Sequence, residues 1–115
     1  MTTMATVRGE TRGDVSVARV EGEIDSANVH EVGARIRGLV TNQSMRLVID
    51  LSQVVYLDSA GINLIFAIGE ELRTHQQKLD LVVAEGSPIA RMVAITSLDR
   101  AHRTHPSLDA AIPGD

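Results

Sequence analysis

The passage from Met45 to Asp58, MRLVIDLSQVVYLD, sets the strongest limit on the fold. Leu47, Val48 and Ile49 follow one another without polar alternation, and a strand apolar on both sides must be covered on both sides. The run therefore predicts a central strand with helices packed over it, with Leu51 to Val55 bridging to an exposed end at Asp58-Ser59.

The flanking periods agree with that limit. Val29, Val32, Ile36 and Leu39 recur at intervals of three or four and predict an amphipathic helix over roughly 26–41, with Asp25 or Ser26 as its cap. Ile62, Ile65, Phe66, Ile68 and Leu72 give a second apolar helix face, whose wet side carries Glu70, Glu71, Arg73 and Lys78. Extended segments are expected at 4–10, 15–22 and 79–85. Pro88 opens a third helix over IARMVAITSL, and a short strand near His102–His105 precedes a last helix starting at Pro106 or Ser107 and stopped by Pro113-Gly114. Strand and helix alternate, which is the order of an α/β layer with a mainly parallel mixed sheet and an N-terminal edge strand. At 115 residues, 43% of them hydrophobic, the chain suffices for one core and not two. The domain is expected over residues 5–112, with 1–4 and 113–115 as short termini.

Composition excludes several classes. A formal charge of −4 with no basic cluster disfavours broad nucleic-acid binding. No cysteine is available for a disulfide or a thiolate ligand. Residues 1–15 lack the apolar centre of a signal peptide, and no segment approaches the ~18 apolar residues of a membrane span. The expectation is a soluble, cytoplasmic protein without membrane association.

The chemistry concentrates at YLDSAG, where an apolar strand ends in Asp58 and Ser59 immediately before a helix. The plainest reading is a helix cap, with Gly61 permitting close approach. A second reading is a modified serine: at a helix N-terminus, phosphate is electrostatically stabilised and adds roughly 1.5 to 2 negative charges. A serine nucleophile needs an oriented base, and His30, His75, His102 and His105 show no such pattern; nor is there a glycine–serine–glycine elbow. His102 and His105 lack further ligands for a metal and read as an ordinary polar terminus, while His30 and His75 read as partly exposed helix residues. Asp25 lies at a second strand-to-helix boundary, where it can cap a helix or approach Ser59. The glycines form no phosphate-binding loop, so neither a cofactor nor a metal is expected. Gly33, Gly38 and Gly69 interrupt helical stretches, as close packing or local flexibility requires.

EGEIDSANV followed by RLVIDLSQVVYLDSAGINLI resembles the STAS domain of the bacterial anti-sigma-factor antagonists, and the resemblance extends over about 5–112. It implies a non-enzymatic protein that binds an anti-sigma factor of the serine-kinase type and so frees a sigma factor for transcription. It further implies that phosphorylation weakens this partner binding and that a serine phosphatase restores it. Carried over, Ser59 is the phosphate acceptor, Asp58 shapes its surroundings, and Gly61 is the nearby glycine. Asp25 maintains the loop and the kinase-facing surface, to which Ile62 and Asn63 add contacts. Ser97 departs from the pattern, since many relatives have glycine there, which affects the local turn. The alternative is a constitutive STAS scaffold whose Ser59 is not phosphorylated.

Overall fold

A computed structural model describes residues 4–113. Strands β1 (Ala5–Arg12) and β2 (Val15–Ile24) are followed by helix α1 (Val29–Arg37), β3 (Arg46–Leu57), α2 (Ser59–Thr74), β4 (Lys78–Val82), α3 (Ala90–Ile95), α4 (Leu98–Ala101), β5 (Arg103–His105) and α5 (Leu108–Ala111). The five strands form one sheet in the order β1-β2-β3-β4-β5. β1 runs antiparallel to β2, and the remaining pairs are parallel. Of the expected termini, residues 1–3 and 114–115, including Gly114 of the expected helix stop, lie outside the described residues.

The central-strand reading of Leu47-Val48-Ile49 matches the burial, because each is fully buried. Leu47, Ile49 and Leu51 enter the main core with Ile36, Ile65, Ile68 and Leu81, whereas Val48 joins Val15, Val17, Val82 and Ala111 on the opposite side. Consecutive side chains thus meet two different layers, which is why the run does not alternate in polarity.

Several expected boundaries move. β3 does not hand over to a bridge at Leu51 but continues to Leu57. Its register against β2 shifts between Arg19 and Glu21 and again between Gly22 and Glu23, so Leu51, Val54 and Leu57 are buried at a spacing of three. Those irregularities conceal the strand period of two. The first helix starts at Val29 rather than near residue 26, because side chains tie up the preceding turn. Asp25 Oδ1 accepts from the Ala27 amide at 2.9 Å, Asn28 Oδ1 accepts from the Asp25 amide at 3.1 Å, and Asn28 Nδ2 donates to the Glu23 carbonyl at 2.8 Å. Such local bonds compete with helix formation. Neither Asp25 nor Ser26 is its cap; that position is Asn28, whose side chain makes no capping bond. The third helix is interrupted at Ser97, which takes a left-handed φ of 65°. For a residue with a side chain that conformation costs roughly 1–2 kcal/mol, so Ser97 sits where glycine would be least strained.

Two glycines explain how the helices approach. A side chain on Gly33 would strike Leu64 of α2, and one on Gly69 would strike the His102 ring. Arg37 and Glu71 then join α1 to α2 through two bonds of 2.8 Å. That hydrogen bond lowers the Glu71 pKa and raises that of Arg37, but both side chains are about half exposed, which limits the pair to less than about 1 kcal/mol.

Candidate functional site: the Asp58-Ser59 helix start

The parallel register sets Ile24 of β2 beside Leu57 of β3, so the residues that follow, Asp25 and Asp58, leave the sheet side by side. The Asp58 amide donates to the Ile24 carbonyl at 3.3 Å, extending that contact by one residue. α2 then starts at Ser59 with Asp58 as its N-cap.

Asp58 serves two loops with its two oxygens. Oδ1 accepts from the amides of Ala60 at 2.9 Å and Gly61 at 3.1 Å, while Oδ2 accepts from the Ser26 amide at 3.2 Å. The first pair satisfies amides that have no partner within the helix. The third bond fastens the 25–28 turn to the start of α2. An Asp58→Ala variant is expected to lose about 1–2 kcal/mol of stability, measured as a lowered urea midpoint, with Asp58→Asn retaining most of it. An Ala variant as stable as the wild type would deny this cap its role.

With the cap supplied by Asp58, Ser59 is left exposed, and among the described residues its hydroxyl has no protein hydrogen-bond partner. Asn63, one helical turn further on, is also exposed, whereas Ile62 is only 4% exposed and belongs to the core. Ile62, expected to add a partner contact, seats the helix on the core in this structure. Gly61 is buried, and a side chain there would meet Leu57 and both the side chain and carbonyl of Ile24. Its absence lets the first turn of α2 rest on the ends of β2 and β3. Asp25 is half-buried in the adjoining turn. Val55 and Tyr56, at 56% and 49% exposure, add apolar surface just before the loop. Their exposure was hidden by the apparent continuity of the apolar run.

Hydrogen bonds of the Asp58 carboxylate thus hold this helix start to the adjoining turn. A cleft between the ends of α1 and α2 is lined by Arg37, Glu71 and His75 among others, and a second lies along α2 and β4; neither includes Asp58 or Ser59. The histidines are placed elsewhere. His30 and His75 are exposed, in keeping with their sequence reading. His102 and His105 are not an ordinary polar terminus: His102 packs over Gly69, and His105 Nε2 lies 2.9 Å from Asp80 Oδ2. The Asp80 contact could not be read from sequence because its partners lie 25 and 34 residues away. Among the described residues, no group of three histidine or carboxylate side chains is placed to hold a metal ion, and no helix is long and apolar enough to cross a membrane.

A mixed five-stranded sheet of this order, covered by helices, is the fold of a known class. The STAS domain pattern matches residues 6–111, and the chain belongs to the STAS domain family. It is similar to the anti-sigma-F factor antagonist RsfB of Mycobacterium tuberculosis, with 32% identity over 109 residues covering 95% of this chain and 88% of that protein. The crystal structure of an anti-sigma factor antagonist from Mycobacterium paratuberculosis superposes with a TM-score of 0.86 at 31% identity, covering 96% of this chain and 92% of that one. The Bacillus cell fate determinant SpoIIAA in its phosphorylated form shares the fold, with a TM-score of 0.66 at 21% identity over 94% of this chain and 97% of that one.

Proposed function

We propose that this protein is an anti-sigma factor antagonist: it binds an anti-sigma factor of the serine-kinase type, releases a sigma factor, and is switched off by phosphorylation of Ser59. The observation that carries the reading is the exposed Ser59 at the first position of a 16-residue helix whose cap is already supplied by Asp58. A kinase can take this hydroxyl without removing a structural bond. The likeness to two mycobacterial antagonists over nearly the whole chain supports the partner class.

The switch follows from charge. A phosphoryl group on Ser59 gains from the N-terminal end of α2, but it adds roughly 1.5 to 2 negative charges beside Asp58 and the neighbouring Asp25 turn. Phosphate on this exposed residue alters the charge offered to a partner while the core beneath stays packed. Asp58, Gly61 and Ile62 fix the helix start, Asp25 shapes the adjoining turn, and Ser59 and Asn63 meet the partner. A serine phosphatase returns the binding form.

Incubation with candidate anti-sigma kinases and ATP, followed by intact mass and peptide mapping, tests the reading. The expected product carries one phosphoryl group on Ser59, and Ser59→Ala carries none. A kinase that binds the protein tightly and leaves Ser59 unmodified would instead support a constitutive STAS scaffold.

A further inference from the structure

We propose that the groove between α2 and the β4–β5 edge binds a small amphipathic phosphate, such as an aromatic phosphate monoester. The groove has a volume of about 430 Å³ and lies along α2, its wall excluding Asp58 and Ser59, with Phe66 and Leu79 as apolar lining. β5 pairs only with Asp80 to Val82, so it leaves the Lys78–Leu79 end of β4 without a neighbouring strand on that side. This uncovered end opens the groove.

Its charge is what singles it out in an acidic protein. Arg73, Lys78 and Arg103 line it, together with the carboxylates Glu70 and Asp80. Both acids are already engaged: Glu70 by Arg73 at 2.7 Å, and Asp80 by Arg46 at 2.8 Å and His105 at 2.9 Å. Lys78 and Arg103 are exposed and, among the described residues, make no ion pair. Two uncompensated cations beside an apolar lining suit a dianionic headgroup with an apolar substituent better than a simple anion. The half-buried His102 forms part of the wall, and burial lowers its pKa against the opposing pull of Asp80 and Glu70.

Titration of the ¹⁵N-labelled protein with phenyl phosphate tests the site. The expected result is saturable amide shifts at Gly69, Leu79 and His102, an affinity at least about tenfold weaker for inorganic phosphate, and a loss of at least about tenfold in a Lys78→Ala/Arg103→Ala double variant. Both replaced side chains are exposed, and the spectrum of the variant reports its fold directly. Absence of saturation at concentrations on the order of 10 mM, shifts centred on other residues, equal affinity for inorganic phosphate, or equal affinity of the folded double variant would each overturn the proposal.

Discussion

A Ser59→Asp variant should bind its anti-sigma factor about a hundredfold more weakly than the wild type, a loss of about 2.7 kcal/mol. The side chain is exposed and the Asp58 cap does not depend on it, so the substitution places charge on the surface without disturbing the core. Its stability should accordingly remain within about 0.5 kcal/mol of the wild type. Under the proposed switch, one added carboxylate next to Asp58 should suffice to mismatch the partner surface, since like charges brought together at an interface cost several kcal/mol. The phosphorylated protein, carrying more charge than the aspartate variant, should bind more weakly still, and Ser59→Ala should bind within about tenfold of the wild type. Calorimetric titration against the cognate anti-sigma factor measures all three. Wild-type affinity in both the aspartate variant and the phosphorylated protein would sink the switch while leaving partner binding itself intact.

The second large effect concerns folding. Asp80→Ala should lower the unfolding free energy by about 2–3 kcal/mol, read from urea denaturation at neutral pH. Asp80 is 3% exposed, and its Oδ2 receives Arg46 Nη1 from β3 at 2.8 Å and lies 2.9 Å from His105 Nε2 on β5. One carboxylate oxygen therefore joins three neighbouring strands. Removing it leaves two polar partners poorly satisfied, but Arg46 is 23% exposed and can turn toward water, so the loss falls below that of a fully buried ion pair. Asp80→Asn retains an acceptor and should lose roughly half as much. A change below about 0.5 kcal/mol in the alanine variant would show that the contact is dispensable.

What could be read from the residues was whatever rests on local period and local chemistry. The apolar run at Leu47–Ile49 announced a central strand because it meets one layer on each side, and the spacing from Ile62 to Leu72 announced α2. The serine at the strand-to-helix boundary was visible for the same reason. What escaped depends on neighbours distant in the chain. The Asp58 bond to the Ser26 amide spans 32 residues and follows from the Ile24–Leu57 register, which no single segment encodes. The continuation of β3 beyond Leu51 was masked by two register shifts that changed the burial spacing from two to three. The burial of Ile62 was legible from helical period, yet its assignment as a contact residue came from likeness alone.

The strand order carries a further consequence for how the molecule comes into being. Each strand lies beside the one that precedes it in the chain, so no later segment has to be threaded between two strands already joined. The β1–β2 hairpin can offer its free edge to β3, and each helical crossover then delivers the next strand to the growing side of the sheet. Such a topology permits assembly in the direction of synthesis, with the three-residue β5 laid down last and the clasp at Asp80 closing only when it arrives.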